Sequence, residues 1–512
     1  MNPHRSLNLH WSGWLFLWLI LGGPMKASEE PTVQLSLADC LGMALQRNLD
    51  IQIQKESPTI ARYHLKIAYA RYEPTFSAGV QRDGSQEPGG VDDVNRPIPG
   101  SESDTDSWRA NLGGLLPWGL SYSVGANMFN RSGLAPGGSS GLIQLMPFEF
   151  STGQAGFFEL RQPLLRNAWI DEARLNIRLN RASLKSSELA LRQQIMRTAH
   201  QVEITYYNLI SALDNVRVSE KALELADRLL AMNRKRVEVG SMAPMGEKEA
   251  ESEVATRRAD LLANQRRLED QQNLLKGLLT DDYAGWTQGI IRPASGLNTA
   301  PIALQLSDSW MKAMTQRPDL LESKINLEKQ DITIRYQKNQ LFPQFDLVGS
   351  YGWAGGGDAR DYGDVASQWA GADNPFYSVG AQFTIPLGNS AARNHLRASL
   401  GTRKQLLLGL KKLEQSILLE VDNAVGQVRT ALERVKATQE ARRFSEAALE
   451  VEQKKLEDGK STSFEVLRVQ RDLVSTAYNE IRALADYNIA LANLALSEGS
   501  TLDRLNLSVE LR

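Results

Sequence analysis

Few residues in this 512-residue chain could do chemistry. Cys40 is the single cysteine, and His64, His200 and His395 are the only histidines beyond the first ten positions. A structural or catalytic zinc site needs three or four Cys, His or carboxylate ligands brought close together, so neither a disulfide framework nor a metal centre is expected. Asp92 with Asp93 and Asp281 with Asp282 stand in polar connections and read as solvated turns rather than acid–base dyads. Gly355, Gly356 and Gly357 lack the strand-then-helix setting of a phosphate cradle. No nucleophile, base and orienting group converge, so the chain reads as non-catalytic, with no cofactor.

The elements that surround these residues carry more information. Trp11 to Gly23 is an apolar run of about 13 residues behind His4 and Arg5, shorter than the roughly 20 needed to span a bilayer. It reads as a cleaved secretory signal over residues 1–27. Cys40 lies well past that run, behind Asp39, on an amphipathic helical pattern, and reads as a buried thiol rather than a lipid attachment site. A net charge of -2 and a pI near 6.3 leave no cationic excess for a nucleic-acid partner. Aromatics at 7% and charged residues at 23% suit long amphipathic helices.

Beyond the leader the chain repeats itself. Leu37, Asp39, Ala44, Gln46, Arg47 and Asn48 open one helical segment; Leu306, Asp308, Ala313, Gln316, Arg317 and Pro318 open its counterpart. Each segment leads into strand-like stretches that close on a proline. Phe158, Leu160, Pro163 and Leu164 match Phe383, Ile385, Pro386 and Leu387. The repeats are placed at 28–300 and 301–499, with a tail over 500–512.

Strands are predicted at Phe76 to Gln81, Trp108 to Leu116, Leu120 to Phe129, Gln154 to Leu160, Phe345 to Trp353 and Tyr377 to Ile385. Polar loops are predicted from Asp83 to Asp106, Ser132 to Gly141 and Ala354 to Asn374. Asn167 to Val239 runs about 73 residues without proline or glycine, on the order of 110 Å as a helix. A comparable run spans Ser390 to Asp458, in which Ile417, Val421, Val425, Val428, Leu432 and Val435 recur at coiled-coil spacing. Each run turns at a glycine, Gly240 or Gly459, and returns as an antiparallel hairpin. Helices this long must bury their stripes against neighbours. One chain also has too few strands to close a water-filled barrel, so identical copies must share it.

From about Leu35 to Glu498 the sequence resembles the outer membrane efflux protein family, the TolC-like channels, most specifically over Ser36 to Asp50, Gln162 to Asn167 and the two glycine turns. The resemblance implies a mainly α fold with a β membrane portion. Long helical hairpins would form a periplasmic α-barrel continuous with a transmembrane β-barrel shared by a homotrimer, with two strand pairs per chain. The hairpin around Trp118 exceeds that count and is expected to be an extracellular elaboration.

The implied function is a passive exit duct in the cell outer membrane, reaching into the periplasm. It would serve a tripartite efflux or type I secretion system, with a periplasmic adaptor (membrane fusion) protein and an inner-membrane pump of RND or ABC type as partners and outer-membrane lipid around it. At the periplasmic constriction, Glu465 matches the family's acidic position, six residues after Gly459; three further on Arg468 replaces a second acid, which permits an alternating collar. The corresponding position after Gly240 is Gly246, followed by Glu247, Lys248 and Glu249, so ties from this outer tip to the inner hairpin are not implied. Val237, Gly240, Ser241, Leu456, Gly459 and Lys460 match the tips where the family docks its adaptor. The rival reading is a periplasmic coiled-coil scaffold without a pore, which would have no use for the strands.

Overall fold

The structure, a computed structural model, describes residues 32–93, 95–138, 143–286, 289–297, 300, 304–356 and 359–507; the signal segment lies outside them. The first half runs β1 (Thr32–Leu35), α1 (Leu37–Arg47), α2 (Leu49–Tyr69), β2 (Thr75–Glu87), β3 (Gly90–Val91), β4 (Pro97–Ile98), β5 (Ser101–Leu115), β6 (Ser121–Gly137), β7 (Gln144–Pro163), α3 (Glu172–Glu238) and α4 (Pro244–Leu279). The second runs β8 (Ile290–Pro293), α5 (Leu306–Gln316), α6 (Pro318–Asn339), β9 (Gln344–Gly355), α7 (Tyr362–Gly371), β10 (Pro375–Thr384), α8 (Ser390–Glu457), α9 (Ser463–Glu498) and α10 (Thr501–Arg504). The openings of the two halves, β1 and β8, pair in parallel.

Local chemistry explains the boundaries. Ser36 caps α1 in a reciprocal box with Asp39, whose amide donates to Ser36 Oγ at 3.2 Å while the Ser36 amide donates to Asp39 Oδ2 at 3.0 Å. The opening segments, read from sequence as single helices, are each two. Asn48 leaves the helix at ψ 125° and caps α2 by accepting from the amides of Asp50 and Ile51. In the second half Pro318 forces the same break, because the residue before a proline is pushed out of the helical region.

Along the seam of α8, Ile417, Val421, Val425, Val428 and Val435 are all buried, packed with Ala483, Tyr487, Leu491 and Leu494 of α9 and with Ala313 and Leu320. Cys40 is buried with Leu41, Ala44, Val202, Tyr206 and Leu275. Burial, and then the neighbouring Asp39 charge, push its thiol up to about 12, so it is inert as a nucleophile at neutral pH. Among the described residues no helix is long and apolar enough to cross a membrane.

Six of the strands form one antiparallel sheet in the order β10-β9-β7-β6-β5-β2. Two expectations are corrected here. The chain contributes six strands, not two pairs, and the hairpin around Trp118 is no outer elaboration. Its strands β5 and β6 lie mid-sheet, and its turn is at the helical end, where a Cβ on Gly119 would meet Arg174 of α3 at 2.6 Å. The physical reason is direction: β2 leaves α2 and runs away from the helices, so β5 must return towards them before its tight turn. The expected loops also shrink. β2 continues to Glu87, β5 begins at Ser101, β6 takes up Ser132 to Gly137, and α7 stands within Ala354 to Asn374, capped by Asp361.

The registers place Phe76, Ala78 and Val80 of β2, Trp108, Ala110 and Leu112 of β5, and Val124, Ala126 and Met128 of β6 on one face. Phe158 and Leu160 of β7, Phe345, Leu347 and Tyr351 of β9, and Tyr377, Val379, Ala381 and Phe383 of β10 continue it. The other face carries Ser77, Gln81, Ser107, Arg109, Asn111, Ser123, Asn127, Glu159, Arg161, Asp346, Ser350, Ser378 and Gln382. Arg161 pairs with Asp346 there at 2.5 Å. At the rim far from the helices Trp108 meets Tyr362 edge-on; at the helical rim Trp169 meets Phe342. An apolar face bounded by aromatics, backed by a polar one, is the pattern of a transmembrane barrel wall.

Candidate gate at the hairpin tips

The helices that leave the sheet run about 100 Å to two glycine turns. Gly240 and Gly459 have φ of +73° and +74°, and nothing lies within 4 Å of a Cβ built on either. Backbone conformation alone therefore calls for glycine. The two turns share one hydrogen-bond pattern. Gly240 donates to Val237 O and Ser241 to Arg236 O; Gly459 donates to Leu456 O and Lys460 to Lys455 O. This is the Schellman closure of a helix, and it leaves Val239, Gly240, Ser241, Gly459 and Lys460 exposed.

Thr462 starts α9 and accepts from the amide of Glu465. The Glu465 carboxylate instead accepts from Arg468 Nε at 2.9 Å, and Arg468 also reaches Asp472 at 3.5 Å. Hydrogen bonding to Glu465 raises the Arg468 guanidinium above its ordinary value. The two sequence-derived constriction residues are thus brought together as one exposed acid–base–acid ladder. Leu456 is different from the other tip residues: it is buried with Leu229, Leu449, Val466 and Leu467, in a cluster that joins the two hairpins.

Sequence reading missed the ties between the hairpins. Asn233 of α3 donates to Gly246 O of α4 and accepts from Ser463 Oγ of α9 at 2.8 Å. Arg236 donates to Leu456 O at 3.2 Å. Glu253 of α4, 4% exposed, accepts from Arg257 of its own helix and from Arg471 of α9 at 2.5 Å. Burial raises the Glu253 carboxyl, but the hydrogen bonds from Arg471 and Arg257 outweigh it and hold the group below its ordinary value. Higher up, Ser219 and Asn264 both bond Tyr478, and His200 bonds Asn493 at 2.8 Å. The signal available in sequence was faint: polar residues at Ser463, Arg471 and Tyr478, seven or eight apart on one stripe of α9.

The sequence model of the family described as Outer membrane efflux protein matches residues 170–280 and 311–500, which span α3 and α4 and then most of the second half. The chain belongs to the outer membrane efflux protein family. Members are channels rather than enzymes, and this channel resides in the outer membrane and extends into the periplasm. Its fold is shared with a membrane protein of Pseudomonas aeruginosa (19% identity, TM-score 0.64, covering 92% of this chain and 91% of that one). The CmeC outer membrane channel of Campylobacter jejuni is similar at 14% identity and TM-score 0.64, with 97% and 94% covered. The outer membrane protein VceC of Vibrio cholerae is similar at 14% and 0.64, with 90% and 96% covered. No curated protein sequence matches the chain.

Proposed function

We propose that three copies of this efflux protein close into one duct, the passive exit of a tripartite efflux or type I secretion system. The supporting observation is that every layer of the chain has two open edges. Near the sheet the helices lie side by side in the order α2, α3, α6, α8, and towards the tips in the order α4, α3, α9, α8. The edge helix α2 exposes Ile53, Ile60, Tyr63 and Ile67, and α4 exposes Leu262 and Leu274. On the opposite edge α8 exposes Leu400, Leu408, Phe444 and Val451. Apolar stripes of this size need a partner, and an edge that differs from the one opposite builds a ring head to tail.

The exposed tips around Gly240 and Gly459 would receive a periplasmic adaptor, which joins the duct to an inner-membrane pump of RND or ABC type. Glu465 and Arg468 would line the narrowest point. Opening follows if the inner hairpin, α8 with α9, swings from the outer one, breaking Glu253–Arg471 and Asn233–Ser463. The test is native mass and single-channel conductance on one purified sample. A trimer with discrete conductance is expected, and Glu465→Ala should change its cation selectivity; a monomer that never enters lipid would support the pore-free scaffold instead.

A further inference from the structure

From the sheet we infer that the membrane wall of this duct contains eighteen strands, six from each copy, with the β5–β6 hairpin built into it. The inference rests on the trimeric reading above and adds the composition and width of its outlet. Three observations carry it. First, β5 and β6 are paired along their whole lengths with β2, with each other and with β7, so removing them from the wall would break two ladders. Second, their alternation is in phase with the rest: Trp108, Ala110, Leu112, Val124 and Met128 continue the apolar face, while Ser107, Arg109, Asn111, Ser123 and Asn127 continue the polar one. A hairpin standing in water has no need of an apolar face. Third, the unpaired edges are β2, which leaves the helices, and β10, which returns to them. A neighbour's β10 therefore meets β2 antiparallel, and closure leaves no unpaired edge in lipid.

Width follows from the count. Eighteen strands about 4.8 Å apart, tilted by about 40°, give a circumference of roughly 110 Å, against roughly 75 Å for twelve. Four helices per copy, about 9–10 Å apart, give a tube of roughly 110–120 Å. At that tilt the eighteen-strand wall and the helical tube have similar girths.

The experiment is single-cysteine labelling of the full trimer in liposomes with a membrane-impermeant thiol reagent, with native mass measured on the same preparations. S107C, N111C and S123C should react at least about tenfold faster than A110C, L112C and V124C, because only the first set faces water. Equal reaction of both sets in a trimer would overturn the eighteen-strand wall and leave the duct standing. Absence of a trimer would overturn both. The native Cys40, 0% exposed, supplies no background, and a cysteine that prevents folding is recognised by loss of the trimer and replaced by its neighbour two residues along.

Discussion

Glu253 shows how one side chain can hold two hairpins. It is buried on α4, and its carboxylate is shared by Arg257 and by Arg471 of the other hairpin. Loss of Arg471 removes a hydrogen bond between charged groups of about 1.5 kcal/mol, the low end of the range because the Arg471 side chain is more than half exposed. It spans the two hairpins proposed to separate, whereas Arg257 belongs to the same helix as Glu253 and ties nothing across. Arg471→Ala should therefore raise the open fraction by roughly fivefold to thirtyfold in single-channel records, and Arg257→Ala should not; equal effects would remove the pair from the gate. The pH dependence has a definite sign. The carboxyl is held below its ordinary value in the tied state, so the tie is fully present above the ordinary Glu range and is lost as pH falls through the lowered value. Acid should open the wild-type channel only below the ordinary carboxylate range, and this step should vanish in Arg471→Ala. Glu465 and Arg468, by contrast, pair on an exposed face, where such a bridge adds little stability; their importance lies in where they place charge.

At the scale of elements, edges decide the behaviour. The interior seams are complete within one chain: Val421 and Tyr487 are fully buried where α8 meets α9. Apolar residues on α2 and on the outer side of α8 are exposed instead, with Ile60 at 53% and Leu408 at 60%. Ile60→Asp or Leu408→Asp would place a charge in the proposed contact between copies while disturbing little of the chain's own packing. Each should cut the trimer fraction in native mass measurements at least about tenfold, with helicity by circular dichroism unchanged. Loss of helicity instead would show that these residues stabilise the single chain. The glycine turns obey a different rule, since Gly240 and Gly459 are set by φ alone and their surroundings are empty.

At the scale of the molecule, the chain divides its length between two solvents. The helical portion is tied through polar contacts such as Ser219–Tyr478 and His200–Asn493, which persist in an aqueous periplasm. The sheet separates its solvents by parity. Val379 and Ser378 are adjacent on β10 yet face opposite sides. Val379→Arg should cost about 2–4 kcal/mol of membrane insertion if it sits near the midplane, read as loss of trimer from the outer-membrane fraction, whereas Ser378→Arg should be tolerated. Equal tolerance would mean that this face does not meet lipid.

Much of this was legible in the sequence because it is periodic. The seam from Ile417 to Val435, the two glycine turns and all six strand positions follow from spacing that local chemistry enforces. Tertiary structure decided what spacing cannot express. The role of the Trp118 hairpin depended on the direction in which β2 leaves α2 and on β5 and β6 pairing between β2 and β7, since alternation shows that a strand has an apolar face but not which strands lie beside it. The Glu253–Arg471 tie joins residues 218 positions apart, and charged residues on long helices are too common for one pair to stand out. Periodicity reports which face of an element is apolar; only packing reports which neighbour that face, or that charge, will meet.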